Sequence, residues 1–247
     1  MGFDVNGKTA LVTGANRGIG LAIVKSLLQA GVAKVYAAVR DPHSVSKTVD
    51  AYPGRVVALE LDLQKPATVT QAAALASDTQ LVINNAGVLQ SATPFSPNAF
   101  DALDFEIDVN VKGLMRMAQA FAPVLKSHGG GAFVQLNSVA SLCGFPEFAT
   151  YSASKAASYS ITQSLRQLLA SQNTLVVSVH PGPISTDMGR AAGLDEIAEP
   201  PQVVADALIQ GLKQGAFLVF PDSMARQFEQ AYRGFAQAFV ETPTSEG

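Results

Sequence analysis

The chain has 247 residues, with 17 basic against 20 acidic side chains and a formal net charge of −3, so it offers no basic surface for nucleic acid or an anionic membrane. Apolar residues make up 48% and charged ones 15%, enough for one large core, while 20 glycines and 13 prolines are ordinary usage and exclude a collagen-like or disordered chain. A single cysteine, Cys143, excludes an intramolecular disulfide and suits a reducing compartment.

Short runs rich in Val, Leu and Ala alternate with longer helix-like segments. Lys8 to Thr13 is expected as a strand, followed by a helix over Gly18 to Ala30 that places Ile19, Ile23, Leu27 and Leu28 near one face. Ala33 to Val39 is a second strand with a short helix after Pro42, and Arg55 to Leu61 a third. Pro66 opens a helix reaching Ala76, its ring suiting the first turn. Leu81 to Asn84 is a fourth strand, and one long helical region is expected from about Asn98 to Lys126. Ala132 to Asn137, a long helix over Tyr151 to Ser171, and Leu175 to His180 continue the alternation. A helix over Gln202 to Gln214 and a short seventh strand over Phe217 to Phe220 complete it, before a helix-like tail from Met224 to Val240. Thr242 to Gly247 is expected to be disordered.

This rhythm predicts an α/β fold, a doubly wound parallel sheet of about seven strands with helices on both faces. Right-handed crossovers align the strand C-termini along one edge, where ligands of such sheets bind. No repeat, charge block or linker divides residues 1–247, so one domain is expected. Three stretches lack Asp, Glu, Lys and Arg: Thr79 to Phe100, Ser127 to Pro146 and Gln167 to Thr186. Polar residues, Gly and Pro interrupt each of them, so they read as buried strands with uncharged loops rather than membrane spans. With no apolar signal core or Arg-rich targeting helix in Met1 to Thr9, a cytoplasmic protein is expected.

Three motifs carry chemistry. Thr13-Gly14-Ala15-Asn16-Arg17-Gly18-Ile19-Gly20 joins the first strand to the first helix. Its glycines permit positive φ and let backbone N–H groups approach a pyrophosphate at the positive end of that helix. Twenty residues past Gly20, where an acid commonly binds the adenosine ribose 2′-hydroxyl, stands Arg40, with Asp41 adjacent. Arg40 and Arg17 could hold a 2′-phosphate, which favours NADPH/NADP; with both arginines solvated, Asp41 would take the ribose and the coenzyme would be NAD. Tyr151 and Lys155 form a Tyr-x-x-x-Lys pair on one helix face, where a cation beside the phenol is expected to lower its pKa for proton transfer.

Together with Asp62-Leu63, Asn84-Asn85-Ala86-Gly87, Asn110 within Asp-Val-Asn-Val, Ser138, and Pro181-Gly182-Pro183-Ile184-Ser185-Thr186, these motifs resemble the short-chain dehydrogenase/reductase family in its main form of roughly 250 residues. The matches run in order from Lys8 to Asp187. The resemblance implies a Rossmann-type fold and a Ser-Tyr-Lys centre. Tyr151 would be general acid or base, Lys155 would tune it and bond the nicotinamide ribose, Ser138 would orient the substrate oxygen, and Asn110 would hold a relay water. It also implies coenzyme contacts from Gly14, Asn16, Arg17, Gly18, Ile19 and Gly20, from Arg40, Asp62 and Leu63, and from Asn85, Ala86 and Gly87. Tyr151, Lys155, Pro181, Gly182, Ile184 and Thr186 would complete them. The expected reaction is NADPH-dependent reduction of a ketone or aldehyde, as in carbonyl reductases. Alternatives are an NAD-linked hydroxysteroid or sugar-alcohol dehydrogenase, and a catalytically silent coenzyme sensor. Such a sensor would commonly lose the Tyr or Lys, which this chain retains. The family also implies a homodimer or homotetramer, but here Phe217-Leu-Val-Phe-Pro-Asp222 leads into the aromatic tail where many relatives have a Gly-rich segment.

Position alone suggests an apolar substrate pocket from Ser138, Leu142, Phe145 and Met188, with Leu89, Phe95, Phe148 and Leu194 nearby and a substrate loop at about residues 186–200. A small hydrophobic carbonyl or alcohol is therefore the expected partner. His43, His128 and His180 have no metal-ligand spacing, so no metal is expected. His128-Gly129-Gly130-Gly131 is similar to the oxyanion loop of some esterases, but no Gly-x-Ser-x-Gly nucleophile turn exists in the chain. Cys143 is read as a small hydrophobe of the cleft wall.

Overall fold

Each short β-branched run forms a strand because both of its faces meet apolar helices. The computed structural model, which describes residues 2–241, has the order β1 (Thr9–Thr13), α1 (Gly18–Gln29), β2 (Lys34–Val39), α2 (Ser46–Ala51), β3 (Val56–Glu60), α3 (Pro66–Leu75), β4 (Leu81–Asn84), α4 (Ala99–Glu106) and α5 (Gly113–Ser127). It continues with β5 (Gly131–Leu136), α6 (Ala149–Ala170), β6 (Thr174–Val179), α7 (Asp187–Ala191), α8 (Pro201–Gln214), β7 (Leu218–Val219) and α9 (Ser223–Phe235). All pairings are parallel, in the order β3-β2-β1-β4-β5-β6-β7. The strand order reverses between β1 and β4, which opens a crevice at their C-terminal ends.

Alternate residues of each central strand enter opposite halves of the core. Ala10, Val12, Leu81, Ile83 and Val134 pack beneath α1 and α8 against Ile23, Leu27, Leu208 and Leu212. Leu11, Val82 and Phe133 point the other way, onto Leu114, Met117, Phe121 and Leu125 of α5. This two-sided burial explains why charge is missing around β4, β5 and β6. Among the described residues no helix is long and apolar enough to cross a membrane.

Three features differ from the sequence reading. The single helix expected over Asn98 to Lys126 is interrupted by a π turn at Ile107–Lys112. The widened turn carries Asn110, whose side chain both accepts from Val88 N (2.9 Å) and donates to Val88 O (2.9 Å). Second, the expected substrate loop contains α7 and a 3₁₀ turn at Asp195–Ile197, and its ends are tied where Ile184 bridges to Glu199. Third, the seventh strand pairs only at Leu218–Val219. The helix-like tail packs on its own core: Ala236 and Val240 are buried, Tyr232 Oη lies 3.3 Å from Tyr159 Oη, and Arg166 Nη1 donates to Val240 O (2.9 Å). The expected disorder of Thr242 to Gly247 lies outside the described residues.

Phe133 is wholly buried at the centre of the sheet. Phe133→Ala should therefore lower the unfolding free energy by about 3–5 kcal/mol in a urea titration at neutral pH.

Candidate active site

The site begins where β1 ends. Gly14 (φ 66°) and Gly18 (φ 51°) take left-handed conformations that disfavour any side chain, and a methyl at Gly20 would collide with the Gly14 carbonyl. The rear of this loop is bracketed by the end of β4. Asn85 N and Ala86 N both donate to Thr13 Oγ1 (2.9 Å each), and Asn85 Nδ2 donates to Thr13 O (2.9 Å). Asn84 continues the bracket, accepting from Thr13 Oγ1 at 3.2 Å and donating to Gln135 Oε1 at 2.7 Å. Arg17, at the N-cap of α1, provides no side-chain cap, so the first N–H groups of the helix face the cleft as an anion site.

A cleft of about 380 Å³ runs along this edge. One end is lined by Arg40, Asp41 and Ser44, the middle by Asn16 to Gly20, Asp62, Leu63 and Asn85 to Gly87, and the far end by Tyr151, Lys155, Pro181, Thr186 and Met188. Asp41 is occupied, its carboxylate accepting from His43 N (3.0 Å) at the start of a 3₁₀ turn. No ion pair engages Arg40 among the described residues, whereas Arg17 Nη1 sits 2.9 Å from Asp187 Oδ2 across the mouth of the cleft. A glycine cradle, a helix N-terminus and cationic side chains at one end fit an elongated dinucleotide.

At the far end Lys155 is only 5% exposed and donates from Nζ to Leu136 O (2.9 Å). Its Nζ lies 5.7 Å from the centre of the Tyr151 ring. Burial pushes the Tyr151 phenol up to about 12; the nearby Ser138 hydroxyl works against this and the Glu106 carboxylate adds to it. Burial likewise pushes Lys155 down to about 8, with Glu106 opposing. The expected lowering of the tyrosine pKa by the lysine is thus reversed here, because desolvation of the phenol outweighs the other influences. Ser138 Oγ accepts from Ala140 N (3.1 Å) and donates to Pro181 O (3.3 Å). Asn110 Nδ2 also donates to Ser154 Oγ (2.9 Å), which commits its side chain to α6 and the loop after β4. The absent Cβ of Gly87 matters: it would stand 3.1 Å from Asn110 Oδ1 and 3.5 Å from Lys155 Nζ.

Not every expected residue reaches the cleft. Gly182 N donates to Asp222 Oδ2 (2.7 Å) at the start of α9, and Ile184 is buried beneath the loop. Of the expected substrate residues Met188 lines the cleft, while Leu142 and Phe145 pack toward Phe220 and the tail residues Met224 and Phe228. There they border, with exposed Cys143 and Pro94, a separate shallow depression. The 3₁₀ turns at Val139–Ser141 and Pro146–Phe148 turn them away. Phe95 is 96% exposed. Among the described residues no group of three His, Cys, Asp or Glu side chains could hold a metal ion.

Sequence reasoning missed Ser44, Glu106 and His180. Ser44 follows the Arg40-Asp41 pair and could have been found from it. The other two carry no motif signal. His180 is fully buried: its Nε2 meets Ser178 Oγ at 2.8 Å, and its Nδ1 meets Ser141 Oγ at 2.9 Å and Ser138 O at 3.1 Å. It thereby braces the backbone of Ser138 from behind.

The profile of the short chain dehydrogenase family matches residues 8–197, which takes in the glycine loop, Asn110, Ser138, Tyr151 and Lys155. The chain belongs to this family. It is 30% identical over 231 residues to a 3α-hydroxysteroid dehydrogenase of Mediterraneibacter gnavus, covering 90% of this chain and 88% of that one. Among solved structures it resembles a short chain dehydrogenase from Burkholderia cenocepacia in complex with NADP, at TM-score 0.87 and 36% identity over 98% of this chain and all of the other. A short-chain dehydrogenase from Streptomyces avermitilis superposes at TM-score 0.83 with 25% identity over 94% of each chain. This short-chain dehydrogenase is accordingly an NAD(P)-dependent oxidoreductase.

Burial holds the His180 pKa down at about 4, from an ordinary 6.5, with the Ser138 carbonyl opposing. A group depressed on folding favours the native state above its unfolded pKa, and that share is lost as pH falls toward the folded value. Stability should therefore drop between about pH 6.5 and 4, and His180→Asn should show a shallower drop over that interval in urea titrations.

Proposed function

We propose that this short-chain dehydrogenase is an NADPH-dependent carbonyl reductase, converting a ketone or aldehyde with a hydrophobic or aryl flank to its alcohol, reversibly. The observation that carries the reading is the far end of the cleft, where half-buried Tyr151 forms part of the lining and its side chain lies near buried Lys155 and the Ser138 hydroxyl. When bound, NADPH supplies the hydride. The chain supplies the proton and the geometry: Tyr151 gives its hydroxyl proton to the substrate oxygen in reduction and takes it back in oxidation. A phenol held near 12 stays protonated at neutral pH, the form that reduction needs. Ser138 orients the substrate oxygen, and Lys155 holds the nicotinamide ribose. Asn110 secures the backbone of Val88, so that the loop after β4 forms the cleft wall.

NADP over NAD is supported by Arg40 and Ser44 at the adenosine end, with Asp41 already engaged by its own turn. The Burkholderia relative, solved with NADP, points the same way. Asp62, Leu63, Asn85, Ala86, Gly87, Pro181 and Thr186 would line the coenzyme between its two ends, with Met188 on the substrate side. The hydroxysteroid dehydrogenase relative favours a second reading, in which the substrate is a steroid alcohol or ketone. Both readings share the same centre and differ in substrate.

Nicotinamide absorbance, read with NADPH and NADH against aryl ketones, aliphatic aldehydes and steroids, tests the proposal. NADPH oxidation by a ketone supports it; tight coenzyme binding without turnover on any substrate would turn the reading toward a coenzyme sensor. Tyr151→Phe should cut turnover by about 10²–10⁴-fold while coenzyme affinity stays within about twofold by fluorescence titration. Arg40→Ala should weaken NADPH binding by about tenfold or more and leave NADH binding unchanged, since a charge-assisted bond to the phosphate is lost.

A further inference from the structure

Glu106 ends α4 with no exposure to solvent, an unusual place for a carboxylate. Its Oε1 accepts from Gln90 N at 2.7 Å, in the loop after β4, while Oε2 is buried without a hydrogen-bond partner. One turn further on, Asn110 grips the same loop two residues earlier, at Val88. The two side chains thus hold alternate residues of the backbone that walls the cleft. They also face α6 in matching steps. Asn110 bonds Ser154, four residues after Thr150, and the Thr150 hydroxyl is itself buried and unpartnered in the same seam. Thr150 immediately precedes Tyr151. It lies close enough to Glu106 to favour the ionised carboxyl, although no hydrogen bond closes between them.

We propose that Glu106 is a positioning residue of this active site, a buried carboxylate that pins the loop after β4 and, through its unpartnered oxygen in the seam with Thr150, acts by its charge on Tyr151 and Lys155. The proposal rests on the reading of Tyr151 and Lys155 as the catalytic pair. A buried ammonium with one carbonyl acceptor, Leu136 O, needs an anion to offset its desolvation. Among the described residues Glu106 is the acidic side chain whose charge acts on both Lys155 and Tyr151. The charged and titratable groups around the seam are few. Helix α6 presents Tyr151 and Lys155, and buried His180, which feels the Lys155 charge, is held by Ser178, Ser141 and Ser138. The π turn presents Asp108, which is taken up by Arg116 at 2.9 Å and Gln64 at 3.1 Å. The loop after β4 offers only the Gln90 N–H, and Asp101 and Asp104 of α4 are exposed. Burial raises the Glu106 pKa, with the Gln90 N–H, Thr150 and Lys155 opposing, and its anion in turn raises both Tyr151 and Lys155. Glu106 therefore helps to set the pH range in which Tyr151 holds its proton.

Glu106→Gln removes the charge but keeps an oxygen for the Gln90 N–H. In alcohol oxidation the acid limb of kcat/KM reports loss of a proton from the free enzyme's base. In E106Q that limb should move to lower pH by at least about half a unit. An unmoved limb in a folded E106Q overturns the proposal. The second measurement needs neither that variant nor a substrate. In wild-type protein labelled with ¹³C at the glutamate carboxyls, one resonance should titrate above the ordinary carboxylate range, and Lys155→Met should move its midpoint higher still. All resonances titrating in the ordinary range, or a midpoint indifferent to Lys155→Met, overturns it equally. Absence of turnover on every alcohol would instead count against the proposed reaction, with the carboxyl titration still deciding the role of Glu106.

Discussion

A parallel sheet buried on both faces has no room for charge, so the working polar groups of this protein are displaced to the carboxyl edge of its strands. Between β1 and β4, where the strand order reverses, that edge opens into a crevice. The residues proposed to bind and to act follow the strands around it. The glycine loop follows β1, Arg40 follows β2, Asp62 follows β3, the Asn84-Asn85 bracket closes β4 and Ser138 follows β5. The bracket is the polar counterpart of the apolar core: Thr13, Asn84, Asn85 and Gln135 bond one another across three strands and hold the loop in register with the sheet. Where backbone must come this close to a ligand, these amides do the holding that side-chain packing does elsewhere.

The far end of the crevice is governed by desolvation. Tyr151 and Lys155 share a helix face, and the simplest expectation is that the cation eases ionisation of the phenol. In the folded protein burial acts on both groups and pushes each toward its neutral form, the phenol up and the ammonium down. Glu106 works on both from the neighbouring helix. His180 contributes in the opposite way, as a neutral ring whose two nitrogens tie the Ser138 backbone to β6. Such a centre is a set of coupled groups, and no single spacing in the chain describes its electrostatics.

Much of the architecture was legible in the chain, for a physical reason. Strands buried on both faces read as uninterrupted Val, Leu and Ala runs, and the turns between them are marked by Gly, Asn and Pro. The glycine loop was legible because left-handed backbone at Gly14 and Gly18 requires that residue type. The π turn at Ile107–Lys112 was not, since it differs from the α-helix by one residue per turn and leaves the apolar pattern almost unchanged. That Leu142 and Phe145 border a neighbouring depression instead of the cleft was not legible for a related reason. Nearness in sequence to Ser138 does not say which way two 3₁₀ turns will point a side chain, and these turn toward the tail. The pairing of Arg17 with Asp187 spans 170 residues and has no local signature.

By itself the sequence determined the elements, their order and the kind of chemistry to expect, because turn residues, hydrophobic period and short motifs act over a few positions along the chain. The tertiary structure decided what those positions are next to. It left Arg40 lining the cleft without an ion pair among the described residues while engaging Asp41, buried unpartnered oxygens of Glu106 and Thr150, and folded the aromatic tail onto α6. Burial and long-range contact belong to the packed molecule alone, and those two quantities set both the pKa of a phenol and the wall of a cleft.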